Sequence, residues 1–274
     1  MTDKVAAIQM ASGPNVGANL IEAGRLIGQA VDAGAKLIVL PENFAIMGMK
    51  EQDKVEVREE DGKGKIQDFL AQTAAKHKVW IVGGTIPLVT SDPKKVKAAC
   101  LLYNDKGKVV ARYDKIHLFD VSIEESGEKY NESSTIEPGT ETVVVDTPFG
   151  KLGLAICYDL RFPELFREMI DKGVEIIALP SAFTAITGKA HWKPLIRARA
   201  IENLSYVIAA AQGGFHVNGR ATHGNSMIVD PWGNILNHLQ QGSGAVIAEI
   251  DRDKLISTRQ NFPALKHRII SCRT

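Results

Sequence analysis

The chain has 274 residues, enough for one large domain or two small ones. Hydrophobic residues make up 45% and charged residues 24%, ordinary globular values, and 33 basic against 32 acidic residues leave a net charge of +1. That balance excludes the basic footprint of a nucleic-acid or membrane-surface binder, and no apolar run approaches the ~20 residues of a membrane helix. Residues 5–10 are predicted as a strand and 15–33 as a helix, with Leu20, Leu26, Ile27, Ala30 and Val31 on one face and Gly34 as its stop. A buried strand over 37–40 ends in Pro41-Glu42-Asn43-Phe44; a helix over 65–77 and a strand over 79–83 follow. Strands over 98–104 and 109–113 make a hairpin around Asp105-Lys106-Gly107. Residues 117–138, rich in Glu, Ser and Gly, are too long for an ordinary connection and are expected to be a functional loop. Strands over 142–145, 152–157, 176–179, 206–211, 226–229, 235–236 and 245–250 alternate with helices that include 190–203 and 252–259. No linker or low-complexity stretch interrupts the pattern, so residues 1–274 form one domain in this reading, an α/β sandwich.

An internal echo runs through it. The stretch from Asp32 through Pro41-Glu42 to Phe44 repeats from Asp171 through Pro180-Ser181 to Phe183: a helix, a glycine stop, a buried strand, then Leu-Pro-x-x-Phe. Either any helix–Gly–strand unit looks like this by chance, or two related halves pack sheet to sheet, with Glu42 and Ser181 in equivalent places.

The three cysteines, Cys100, Cys157 and Cys272, have no CxxC spacing and cannot all pair. That fits a reducing compartment, and the apolar stretch over 5–10 is too short for a signal-peptide core, so the expected location is the cytoplasm. Cys157 ends an apolar run over 152–156 and precedes a helix-like segment over 163–172. It is either a buried structural thiol or a nucleophile at a strand tip, its thiolate favoured by the helix N-terminus. Glu42, behind a proline that fixes the backbone, is either a helix cap or a general base. Lys115 lies among apolar neighbours in Tyr113-Asp-Lys-Ile-His-Leu-Phe119. A buried lysine needs a negative partner: a thiolate, a carboxylate or the oxyanion of an acyl-transfer intermediate.

Together Glu42, Lys115 and Cys157 have the parts needed to hydrolyse an amide. A free thiol has a pKa of about 8.5 and needs a base, which Glu42 supplies. The thiolate attacks the amide carbon and forms a thioester. Lys115 and the backbone N–H of Tyr158 stabilise the oxyanion, and Glu42 activates water for deacylation.

At Leu-Pro-Glu42, Asp-Lys115-Ile-His-Leu-Phe and Cys157-Tyr-Asp-Leu-Arg-Phe-Pro-Glu164 the sequence resembles the nitrilase, or carbon–nitrogen hydrolase, superfamily over nearly the whole chain. The resemblance implies a Glu–Lys–Cys triad on a four-layer α-β-β-α sandwich, paired through a helix face into an eight-layer homodimer or higher homo-oligomer. It also implies a second site glutamate, Glu132 in Tyr130-Asn-Glu132-Ser133, that positions the substrate or Lys115; the alternative is a solvated loop carboxylate. Tyr158-Asp159 after the nucleophile resembles the amidase branches rather than the Trp-Glu of true nitrilases. The stretches 182–192, 197–203 and 223–233 resemble the deaminated-glutathione amidases, with the omega-amidases that cleave 2-oxoglutaramate as close relatives. The loop over 121–127 departs from the Pro-Gly expected in both groups and leaves the outer wall of the pocket open.

The expected partner is therefore a small 2-oxo-acid amide, with no nucleic acid and no membrane. Phe183, Thr184, His191 and Trp192 either line the substrate pocket or belong to core and rim. Arg161 and Glu164 are spaced to pair across a helix start, and Arg197, Arg199 and Glu202 to form an ion network. The seven histidines lack metal-ligand spacing, so neither metal nor cofactor is expected. Competing readings are an N-carbamoyl hydrolase, a cysteine–histidine hydrolase using His191 or His223, and an inactive scaffold on the same fold.

Overall fold

The computed structural model describes residues 2–124 and 127–270. The first half of the chain contains β1 (Thr2–Gln9), α1 (Val16–Asp32), β2 (Leu37–Val39), the single turn α2 (Asp53–Glu56), α3 (Lys65–His77), β3 (Trp80–Val82), β4 (Ile86–Val89), β5 (Val96–Tyr103), β6 (Val109–Asp114), and the hairpin of β7 (Asp120–Ile123) and β8 (Glu128–Asn131). The second half adds β9 (Val144–Thr147), β10 (Gly150–Leu154), α4 (Pro163–Asp171), β11 (Ile176–Ser181), α5 (Ala185–Asn203), β12 (Tyr206–Ala211), the hairpin of β13 (Gly213–Phe215) and β14 (Ala221–His223), β15 (Ser226–Val229), β16 (Ile235–Leu239), β17 (Gly244–Asp251) and α6 (Arg252–Asn261).

Local chemistry explains most of the boundaries. The Asn15 side chain caps α1 by accepting from the Ala18 N–H at 3.0 Å. Past its end Gly34 takes a φ of +92°, the left-handed turn that glycine adopts without penalty. Helix α5 starts five residues earlier than its apolar periodicity suggests, because Thr184 caps it through the Thr187 N–H at 3.3 Å. Strand β4 contains Pro87 and is invisible to a pattern reading; it is an edge strand, where a missing N–H costs no ladder bond. Within the long segment over 117–138, β7 pairs antiparallel with β8; residues 125–126 of the expected loop lie outside the described residues.

The two large sheets answer the question raised by the internal echo. One runs β17-β1-β2-β3-β5-β4, with β6 on β5; the other runs β9-β10-β11-β12-β15-β16. In each, three parallel strands stand in the middle and the flanking strands are antiparallel. The paths match strand for strand, and β2 and β11, the echoed strands, occupy the same central place.

Side-chain alternation builds the layers. Val5, Ala7, Leu37 and Val39 face the second sheet, in one apolar cluster with Leu152, Leu154, Ile176 and Ala178. Ala6, Ile8 and Ile38 point the other way, onto Leu26, Ile27 and Ala30 of α1 and Leu70 of α3. Leu165 and Phe166 of α4 and Ile196 of α5 cover the outer face of the second sheet. The order is helices, sheet, sheet, helices: the α-β-β-α sandwich. Each fully buried Leu, Ile or Phe side chain contributes about 1.5–3 kcal/mol. Among the described residues, no helix is long and apolar enough to cross a membrane.

Candidate active site

A cleft with about 700 Å³ of empty space opens where the central parallel strands end, the place where α/β sheets collect ligands. Glu42, Lys115, Glu132, Cys157 and Tyr158 all line it. They arrive from four different segments, Cys157 and Tyr158 sharing one.

Glu42 follows β2 in a turn held from several sides. Asn43 sits at φ +57°, and its N–H donates to Thr85 Oγ1 at 2.8 Å. The Gln212 side chain donates to the Glu42 carbonyl at 3.0 Å and to Ser12 Oγ at 2.7 Å, and accepts from the Ser12 N–H at 2.9 Å. Gly84 lies so close that an added Cβ would stand 2.2 Å from the Pro41 carbonyl oxygen. Gln212, Ser12, Thr85 and Gly84 carry no motif of their own; only the topology brings these strand ends together.

Lys115 follows β6 and is 1% exposed. Its ammonium meets Glu42 Oε1 at 2.7 Å and both oxygens of Glu132 at 2.8 Å. Burial alone would favour a neutral amine, but the charges of Glu132 and Glu42 outweigh it and hold the lysine well above its usual pKa. Glu132 begins the 3₁₀ turn Glu132–Ser134 after β8, and its Oε2 also accepts from the Phe119 N–H at 2.7 Å. Both of its oxygens are engaged.

Cys157 corrects the strand-tip expectation. Strand β10 stops at Leu154, and Cys157 opens the 3₁₀ turn Cys157–Arg161 at φ +48°, a left-handed conformation that a non-glycine residue adopts at a cost. That turn separates it from α4, and the amide that donates to the sulfur is Ala182 N–H, just past β11 and 3.5 Å from Sγ. Burial pushes the thiol well above its ordinary pKa, and Glu42 pushes it further through its charge and a hydrogen bond; Lys115 and the Ala182 N–H pull the other way. The balance favours the protonated sulfur. The Tyr158 N–H, in the first turn of a 3₁₀ helix, has no acceptor within that turn.

Asp159 is fully buried and locks this turn to the lysine strand. It accepts from Tyr113 Oη at 2.7 Å, from the Ile156 N–H at 2.8 Å and from the His117 N–H at 3.2 Å, with His117 Nδ1 at 2.7 Å. One carboxylate thereby fixes Cys157 relative to Lys115.

The remaining sequence candidates divide. Phe183 and Thr184 line the cleft. Trp192 does not: it is fully buried behind Phe183, ring centres 5.0 Å apart, and its indole donates to the Asn225 carbonyl at 2.7 Å. His191 lies on the exposed face of α5 with Nδ1 3.1 Å from Arg161, and neither it nor His223 lines the cleft. Residue 191 shares the side of α5 that carries Thr184 and Thr187 but lies two turns, about 10 Å, further along the axis, and residue 192 turns into the core. Arg161 does not pair with Glu164; it lines the cleft and lies over Phe183 and Tyr158, 5.3 and 5.7 Å from their ring centres. Arg199 pairs with Glu202 at 2.7 Å, whereas Arg197 donates to the Gly233 carbonyl at 2.8 Å. The outer wall comes from Phe119, Tyr130, Asn131 and a segment around Glu51 and Lys54, not from residues 121–124. Among the described residues, no three His, Cys, Asp or Glu side chains stand together to hold a metal.

The model of the carbon–nitrogen hydrolase family matches residues 4–260. The deaminated glutathione amidase of Synechocystis sp. is 45% identical over 267 residues, 96% of this chain and 97% of that one. The human deaminated glutathione amidase is 40% identical over 267 residues, 96% of this chain and 81% of that one. Among solved structures, the Saccharomyces cerevisiae Nit3 protein, a member of branch 10 of the nitrilase superfamily, superposes with a TM-score of 0.86 at 33% identity, over 99% of this chain and 96% of that one. The C. elegans NitFhit protein gives 0.90 at 35% identity over 98% of this chain, which spans only 65% of that longer chain. With a family match over nearly its whole length and full-length relatives at this identity, the chain belongs to the carbon–nitrogen hydrolase family.

Proposed function

We propose that this protein hydrolyses the amide of a small 2-oxo acid, deaminated glutathione, through a thioester on Cys157. One observation carries the chemistry: a buried ammonium, Lys115, held between the carboxylates of Glu42 and Glu132 beside a thiol in an open cleft. The relatives named deaminated glutathione amidase, at 40–45% identity, support the substrate.

In this reading Glu42 takes the thiol proton as sulfur attacks the amide carbon. Because burial and Glu42 itself favour the protonated sulfur, proton transfer and attack are coupled. Lys115 and the Tyr158 N–H stabilise the tetrahedral oxyanion. Glu42 returns the proton to the departing amine, the C–N bond breaks, and the cysteinylglycine dipeptide leaves. Glu42 then deprotonates a water that cleaves the thioester, releasing the 2-oxo diacid and the thiol. Glu132, with both oxygens committed to Lys115 and the Phe119 N–H, is a positioning residue rather than a second base. Arg161, on the nucleophile turn, is the nearest cation in sequence to take the carboxylate of the 2-oxo acid.

The test is release of product from a panel: deaminated glutathione, 2-oxoglutaramate and an N-carbamoyl compound. The expected outcome is the highest kcat/KM on the first. A clear preference for 2-oxoglutaramate moves the chain to the omega-amidases, and activity on the carbamoyl compound alone overturns the branch. No turnover, with iodoacetamide labelling Cys157 no faster than Cys100, leaves a scaffold. The reading also treats the chain as one catalytic domain, working in the cytoplasm as a homodimer or higher homo-oligomer, with light scattering as the check on assembly.

A further inference from the structure

The cleft continues into a side lobe of about 270 Å³, and the two share Asn43, Met47, Glu51, Lys54 and Arg220. The shared wall is charged. Glu51 accepts from Lys54 Nζ at 2.7 Å and pairs with Arg220, so the three groups leave one net positive charge; Lys50, also lining the lobe, adds a second. The wall is braced. Arg220 lies over the Tyr130 ring, 5.1 Å from its centre. Asn218 donates to the Gly48 carbonyl at 2.7 Å and accepts from the Arg220 N–H at 3.0 Å. The Met47 N–H donates to the Gly13 carbonyl at 3.0 Å.

The substrate of the proposed function has two carboxylates. One lies three carbons from the scissile carbonyl, within reach of a group on the nucleophile turn such as Arg161. The other ends the leaving dipeptide, up to about 7 Å further out along an extended chain. A cleft with one cationic wall would leave one of them desolvated and unpaired. This cleft has a second, built from the segment around Glu51 and the turn before β14.

Resting on that function, we propose that the Lys54–Arg220 wall and the side lobe behind it bind the terminal carboxylate of the leaving group, with Glu51 as the positioning residue that aims both cations. Specificity for a dipeptide leaving group over ammonia is then set here, away from the thiol.

The experiment compares kcat/KM for deaminated glutathione, the same compound with its glycine carboxylate capped as an amide, and 2-oxoglutaramate. In the wild-type protein capping is expected to lower kcat/KM about tenfold or more, mainly through KM, the scale of a lost charge-assisted hydrogen bond. Arg220→Met and Lys54→Met are expected to narrow the ratios of free acid to capped compound and of free acid to 2-oxoglutaramate. Wild-type protein that turns over free and capped compounds equally well overturns the inference while leaving the function standing. So do variants that lose all three substrates in proportion. Wild-type protein that does not cleave deaminated glutathione overturns both.

Discussion

Two three-charge clusters face the same cleft, and they are opposites. At its floor one cation, Lys115, sits between two carboxylates, Glu42 and Glu132, with the lysine 1% and Glu42 5% exposed at the side chain. At its rim one carboxylate, Glu51, sits between two cations, Lys54 and Arg220, with side-chain exposures of 28%, 18% and 36%. The floor is net negative and nearly buried, so its environment acts on protonation: the two carboxylates favour the charged form of Lys115, while burial and then the Glu42 charge favour the protonated sulfur of Cys157. The rim is net positive and wet, so salt screens it and each pair is worth at most about 1 kcal/mol. The same ionic parts make chemistry where water is excluded and recognition where it is not.

The contrast can be broken at its chemical end first. Cys157→Ser is expected to lower turnover by several orders of magnitude and leave thermal unfolding nearly unchanged, since the swap is close to isosteric. Turnover within about tenfold of wild type would remove the thiol from the mechanism. Lys115→Ala is expected to lower stability by about 3–5 kcal/mol, because it strands two carboxylates of which Glu42 is buried. In the folded fraction it should also cost about 2–4 kcal/mol of transition-state stabilisation. Urea unfolding and single-turnover rates separate the two effects.

Glu42→Gln sharpens the comparison through a sign. Glu42 raises the Cys157 pKa, so removing its charge should lower the pH midpoint of Cys157 alkylation and give more thiolate at neutral pH. If Glu42 is the base, turnover falls all the same. A variant whose turnover rises with its thiolate fraction would show that charge, not proton transfer, is the role of Glu42.

At the rim, burial opposes the Glu51 charge, but Lys54 and Arg220 outweigh it and lower its pKa from 4.5 to about 2. A depressed carboxyl contributes stability that is complete above about pH 4.5 and fades as pH falls toward 2, and solvent screening limits the two Glu51 pairs to about 2 kcal/mol together. The stability gap between wild type and Glu51→Gln should therefore shrink between pH 6 and pH 3 in urea titrations. The smallest effect is expected from salt. Raising ionic strength from about 0.05 to about 0.5 M should raise KM for an anionic substrate about threefold, while single-turnover chemistry at Cys157 stays unchanged.

The legibility of the two clusters differs for the same reason. Glu42, Lys115, Glu132 and Cys157 stand in short motifs at strand ends, where an apolar run followed by a polar residue is visible locally. Glu51 and Arg220 are 169 residues apart, and neither stands in a motif. The same limit hid Gln212, 170 residues from Glu42, and the role of Asp159, whose partners Tyr113 and His117 lie on β6 and in the connection after it. It also left Trp192 and His191 open between pocket and core or rim: Trp192 turns into the core, and His191 lies two turns of α5 beyond Thr184, at the exposed rim.

By itself the sequence determined the alternation of strands and helices and the motif residues, and raised the paired halves as one of two readings that the sheet order then decided. These depend on periodicity and turn chemistry within some ten or twenty residues. Tertiary structure alone decided that burial and Glu42 favour the protonated sulfur of Cys157, that both Glu132 oxygens are taken by Lys115 and the Phe119 N–H, and that a cationic rim meets the cleft. Those outcomes depend on burial and on charges contributed by distant strands, and Coulomb energy depends on separation in space and on the local dielectric, not on distance along the chain.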